Sequence, residues 1–247
     1  MLKKIFAANW KLNKTPAESK LFIKEFNSET TQDFFSNKEI FIFPQNFSLD
    51  AVLTESANSN ILFGPQQICS DIKGAFTGEN SLVLAKNIGS KIVLIGHSER
   101  RQLFHENNYE INKKIKLSHE LNILPVLCIG ESLVERKENK TLDVCFEQLD
   151  QALLNIDREQ RIIIAYEPVW AIGTGLVASL DQVKTVHAEL YKKMTDLKFK
   201  NFQLLYGGSV KADNAKDLIL VPHVDGFLIG GASLEAISFL EICKSGN

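Results

Sequence analysis

The chain has 247 residues, 45% of them hydrophobic and 23% charged, with a formal net charge of −2. This near-neutral balance, without a dense Lys/Arg block, gives no footing to a nucleic-acid or membrane-surface partner. No run approaches the length of a membrane-spanning helix, and the N-terminus lacks the apolar core and cleavage signal of a secretory leader.

Apolar, β-rich runs recur at 5–8, 40–43, 61–63, 92–95, 123–129, 162–166, 202–206 and 226–229. They are continuous rather than alternating, as in strands buried on both faces of a parallel sheet. Helical periodicity fills the intervals at 18–35, 108–121, 131–154 and 180–194, with Ser179 and Asp181 suited to a helix N-terminus. Eight strands alternating with helices predict an α/β fold, a (β/α)8 barrel, as a single domain over residues 1–247. A doubly wound sheet needs a glycine-rich fingerprint after its first strand. Here that strand ends Ala8-Asn9-Trp10-Lys11. The cysteines, Cys69, Cys128, Cys145 and Cys243, are scattered without metal-ligand spacing. They point to a reducing, cytoplasmic setting, and Cys128 reads as a small core residue.

In such a barrel, chemistry gathers where strands end. The first strand ends in Asn9-Trp10-Lys11, the fourth in Gly96-His97-Ser98-Glu99-Arg100-Arg101 and the sixth in Glu167. The seventh and eighth end in Gly207-Gly208-Ser209 and Gly230-Gly231-Ala232-Ser233. Singly, each has a plain structural reading: a surface histidine, a solvated lysine, a solvated glutamate, a salt-bridged helix start at 99–101, two turns. Together they put a base, an imidazole, a cation, an amide and two glycine-rich loops on one rim. Glycines let backbone N–H groups approach an anion closely, and the loops after strands seven and eight suit phosphate. A lone Glu base with His, Lys and Asn is equipment for moving a proton beside a carbonyl. No His/Asp/Glu cluster has metal spacing. The segment after Glu167 is apolar and closed by Gly173 and Gly175, as a lid would be.

These residues resemble the triosephosphate isomerase family. The similar segments are Asn9-Trp10-Lys11-Leu12-Asn13, Gly74-Ala75-Phe76-Thr77-Gly78-Glu79, Ile95 through Arg101, Cys128-Ile129-Gly130-Glu131, Tyr166 through Gly175, Tyr206-Gly207-Gly208-Ser209-Val210 and Gly226 through Leu234. They run in family order from end to end. The resemblance implies a TIM barrel and a cofactor-free interconversion of dihydroxyacetone phosphate and glyceraldehyde 3-phosphate, in glycolysis and gluconeogenesis. Glu167 matches the family's general base and His97 its electrophile, which in the family acts as a neutral imidazole. Lys11 matches the cation beside the reacting oxygens and phosphate, and Asn9 a polar partner there. Gly173, Ser209, Gly230 and Gly231 match the phosphate-binding backbone. Ile172 and Leu228 match apolar residues that close over the base, and drying the base in the closed state is expected to raise its basicity.

Phe76, on a glycine-flanked loop, fits either a tucked aromatic or an interface. The resemblance implies the interface: a homodimer in which the Phe76-Thr77 loop enters the partner. Two departures stand out. Gly64-Pro65-Gln66-Gln67 replaces the family's Gly-Ala-Gln-Asn, and Pro44-Gln45 replaces a double proline. Both are expected to lie away from the catalytic candidates and to affect the dimer contact. A metal-dependent phosphosugar epimerase and a catalytically silent phosphate-binding barrel remain the competing readings. The first needs paired acid/base groups and a metal; the second is marked by loss of Lys11, His97 or Glu167, all present here.

Overall fold

The computed structural model describes residues 2–56, 59–172 and 176–246. Its strands are β1 (Lys4–Asn9), β2 (Lys38–Phe43), β3 (Ile61–Phe63), β4 (Ile92–Ile95), β5 (Leu124–Ile129), β6 (Ile162–Tyr166), β7 (Phe202–Tyr206) and β8 (Gly226–Ile229). All are parallel to their neighbours in the order β3-β2-β1-β8-β7-β6-β5-β4. The remaining seam is drawn shut by Lys91 N–H to Phe63 O at 3.1 Å and Leu94 N–H to Pro65 O at 3.1 Å. Gly64 makes that approach possible, because a Cβ there would sit 1.7 Å from the Ile92 carbonyl oxygen.

Every strand is buried on both faces, and the alternation separates two cores. Inward residues, among them Ile5, Ala7, Phe41, Leu94, Cys128, Ala165 and Leu205, fill the barrel. Outward residues, among them Phe6, Ala8, Ile42, Ile95, Ile129 and Ile164, meet the helices. Cys128 is thus a core residue as expected. The register levels the C-terminal rim: Asn9 lies opposite Phe43, Ile129 opposite Tyr166, and Tyr166 opposite Tyr206.

The helices follow local signals. Thr15 and Glu18 form a capping box, with Pro16 opening Pro16–Ser28. Ser179 caps Leu180–Asp196 in the same way with Gln182. Two predicted helices are shorter than their periodicity. The 18–35 stretch ends at Ser28 and resumes only as a 3-10 turn, Asp33–Phe35. The 131–154 stretch divides into Leu133–Lys137 and Thr141–Ala152. The division is a Schellman turn: Asn139 takes φ 57°, and Lys140 N–H reaches back to Glu135 O at 2.9 Å. Short helices at Leu49–Ser56, Leu82–Asn87, Ala215–Ile219 and Ala236–Cys243 carry too few turns for periodicity to reveal. Among the described residues, no helix is long and apolar enough to cross a membrane.

Candidate functional site

The level rim places the residues that follow the strands around one cavity. It has a volume of about 240 Å³ and is lined by Asn9, Lys11, His97, Glu167, Ile172, Ser209, Leu228, Gly230 and Gly231, among others. All the predicted site residues within the described part of the chain therefore meet in one place. Gly173, with Thr174 and Gly175, lies outside the described residues.

Glu167 follows β6 and is 2% exposed, so it is not a solvated strand-end carboxylate. One carboxylate oxygen accepts Ser98 N–H at 3.0 Å. The other lies 2.9 Å from His97 Nε2. Burial pushes the Glu167 carboxyl up. His97, the Ser98 amide and Lys11 together outweigh that and hold it below its ordinary value. In this arrangement the carboxyl is therefore held down rather than raised.

His97 is 5% exposed, buried rather than on the surface. It caps the helix Ser98–Leu103, its Nδ1 accepting Glu99 N–H at 3.2 Å. A ring nitrogen that accepts carries no proton, so in a neutral ring the proton sits on Nε2, facing Glu167. The 99–101 segment is a helix start with ion pairs, but its partners come from elsewhere. Glu99 holds Lys11 Nζ at 2.6 Å. Arg101 donates to the carbonyls of Gly96 and Cys128 and to Asn108 Oδ1. Arg101 therefore ties the end of β4 to β5, fixing the turn from which His97 projects.

Lys11 sits at the cavity edge with φ 51°. Its N–H donates to Asn9 Oδ1 at 3.1 Å, so Asn9 also shapes the turn that presents the lysine. Gly230 and Gly231 leave open space: a Cβ on Gly231 would meet nothing within 4 Å, and one on Gly230 only the Lys11 side chain. Gly231–Ser233 forms a 3-10 turn, whose opening amides lack intrahelical acceptors. Ser209 is fixed through its carbonyl by Asn214 Nδ2 at 3.2 Å. Lys11 and these amides make one end of the cavity a place for a dianion, while Glu167 and His97 at the other end can exchange a proton with a carbon acid and its oxygen. Among the described residues, no three His, Cys, Asp or Glu side chains are grouped to hold a metal ion.

Sequence reasoning passed over several supporting residues. Glu131, directly after Gly130 at the end of β5, is fully buried. It accepts Trp170 Nε1–H at 2.9 Å and the Tyr166 hydroxyl, and pairs with Arg136 at 3.2 Å. It thereby anchors the 3-10 turn Val169–Ala171 that follows Glu167. A strand-end carboxylate beside a glycine was the available signal. Gln45 and Gln66 were also missed, and each donates to Lys11 O, at 2.8 and 2.9 Å. The departure at Pro44-Gln45 thus touches a catalytic candidate, contrary to expectation. The reason is the curl of the 11–14 segment, which turns its carbonyls toward the end of β2. Within the other departure, Gln67 accepts from Lys114 Nζ and donates to Glu79, which lies beside the Phe76 loop.

Comparison with known proteins accords with this geometry. A family model described as triosephosphate isomerase matches residues 4–246. The chain is 46% identical over 243 residues to a triosephosphate isomerase of Bdellovibrio bacteriovorus, covering 98% of this chain and 100% of that protein. It is 42% identical over 249 residues to one of Endomicrobium trichonymphae, covering 99% of each. With one of Chlamydia trachomatis serovar D it shares 44% identity over 248 residues, covering 98% of this chain and 89% of that protein.

Proposed function

The chain belongs to the triosephosphate isomerase family, whose reaction interconverts dihydroxyacetone phosphate and glyceraldehyde 3-phosphate, and we propose how its residues divide that work. Glu167 is the general base. It takes a proton from the carbon beside the carbonyl and returns it to the neighbouring carbon. His97 is the electrophile, its Nε2–H donating to the substrate oxygen. Lys11 and Asn9 face the oxygens where negative charge builds, and Ser209, Gly230 and Gly231, with Gly173, bind the phosphate. Residues 1–247 act as one domain.

The observation that carries this reading is the convergence of Glu167, His97 and Lys11 on one cavity closed at one end by the Gly230 loop. The resting hydrogen bonds add a mechanistic point. His97 Nε2 has one proton to give, and Glu167 holds it now. When a substrate oxygen takes that proton's hydrogen bond, Glu167 loses a stabilising donor while remaining buried. Its basicity then rises as substrate arrives. Ile172 and Leu228, both lining the cavity, supply apolar cover for this state.

The partner in this reading is a second copy of the chain, which receives the Phe76-Thr77 loop. Support comes from large apolar side chains left in water: Leu12 is 88% exposed, Phe47 92% and Phe104 61%. The Leu12 and Phe47 loops are joined by the Gln45 and Ser48 side chains, and Phe76 and Phe104 share one cavity. Such exposure is unfavourable for an isolated chain. The four free cysteines support a reducing, cytoplasmic setting.

The test is conversion of glyceraldehyde 3-phosphate with and without chelator, alongside Glu167→Gln. Chelator-resistant turnover, with substrate–solvent proton exchange abolished in the variant, is expected. Chelator-sensitive turnover would move the assignment to a metal-dependent epimerase. Normal exchange in Glu167→Gln would remove that residue from the base role.

A further inference from the structure

Lys11 is held in a backbone conformation that a lysine does not choose. Its φ of 51° lies in the left-handed region, and Lys14 repeats this at 67°; both are unfavourable for residues with a Cβ. The conformation has a use. It sends the Lys11 side chain across the cavity, with Nζ 2.6 Å from Glu99 and Cε 3.5 Å from where a Gly230 Cβ would stand. Something must stabilise it, and the turn after β2 does so at both strained positions. Gln45 Nε2 donates to Lys11 O at 2.8 Å, and Ser48 Oγ donates to Lys14 O at 3.2 Å. The turn is itself closed by Ser48 N–H to Gln45 O at 2.8 Å.

Gln66 also donates to Lys11 O, but it has a second task, donating to Phe43 O at 2.8 Å and so joining the ends of β1 and β2. Among the described residues, Gln45 makes no side-chain hydrogen bond except that to Lys11. We propose that Gln45 is a positioning residue for the isomerase reaction: its amide locks Lys11 in the left-handed turn and so keeps the ammonium over the phosphate end of the cavity. A proline at this position, as in the double-proline pattern, has no side-chain donor to offer. Gln45 thus holds the backbone from which the Lys11 cation projects.

The inference rests on the isomerase reading with Lys11 in the site, and the experiment separates the two. Kinetic constants, inhibition by inorganic phosphate and thermal unfolding are measured for the wild type, Lys11→Met, Gln45→Met and Gln66→Met. Wild-type turnover that collapses in Lys11→Met supports the underlying reading; turnover that survives in Lys11→Met would overturn that reading and the inference with it. Gln45→Met, similar in size but without a donor, is expected to lower kcat/KM about tenfold. The loss should appear mainly as a raised KM, with phosphate inhibition weakened in proportion and the unfolding midpoint unmoved. Gln66→Met should show the kinetic loss and a lower midpoint as well. Wild-type KM and phosphate inhibition in Gln45→Met, whatever its midpoint, would overturn the proposal.

Discussion

His97 Nε2 and Glu167 Oε1 stand 2.9 Å apart, and the opposite ring nitrogen of His97 accepts the Glu99 amide. The backbone of the Ser98–Leu103 helix therefore fixes which end of the imidazole can give a proton. Nitrogen NMR of the ligand-free protein at neutral pH should find the ring proton on Nε2 and a bare Nδ1. A proton on Nδ1 would contradict this arrangement and, with it, the donor role of His97.

The segment after Glu167 is tied down at Trp170 by Glu131 and carries Ile172 to the cavity. An enediolate beside a phosphate ester can eliminate phosphate when water and free rotation are admitted. Deleting residues between Val169 and Gly173 should raise inorganic phosphate release per turnover while isomerisation slows. An unchanged partition between product and phosphate would leave the lid without its chemical purpose.

Gly130 sets the distance between the ends of β5 and β6. A Cβ there would lie 1.8 Å from the Glu167 carbonyl oxygen, and Glu167 N–H donates to Ile129 O at 2.7 Å. Gly130→Ala must therefore displace the backbone of Glu167, the proposed base. Displacement of a catalytic group by about 1 Å can cost on the order of 10²-fold, so kcat should drop by about that much in a variant whose circular dichroism stays native. Wild-type kcat would show that Glu167 tolerates the shift.

His187, buried against Tyr166 and Tyr206, links pH to stability. Burial, opposed by its bond to His223 O and assisted by the charge of His223, brings its pKa down to about 4. The unfolded chain takes up this proton near pH 6.5. Between those values the unfolded state binds more protons, so stability falls as the pH is lowered from about 6.5 toward 4 and this contribution levels off below. The loss is on the order of 3 kcal/mol. Denaturant unfolding across this window should show a slope in the wild type that is largely removed in His187→Gln. An equal slope in both would assign the acid sensitivity to other groups.

The exposed Leu12, Phe47 and Phe104 set an expectation for assembly. Sedimentation equilibrium should give a dimer, and Phe76→Asp should give a monomer with reduced turnover. A wild-type monomer at working concentration, unaffected by salt, would rule out the second copy.

The sequence by itself determined the strands and the identity of the chemical groups. Strands such as Ile162–Tyr166 and Leu124–Ile129 are legible because burial on both faces demands continuous apolar runs. Glu167, His97 and Lys11 are legible because each follows such a run. Ser179 marks a helix start through a local signal, its capping box with Gln182. What only the tertiary structure decided is non-local. Glu99 reads as one end of a helix, yet its partner is Lys11, 88 positions away. Gln45 and Gln66 read as loop residues until the left-handed turn at Lys11 brings its carbonyl to both. Whether Glu167 is solvated or buried, and whether its pKa rises or falls, depends on which donors the barrel brings to it. Closure of the sheet makes those encounters, and no local pattern in the chain records them.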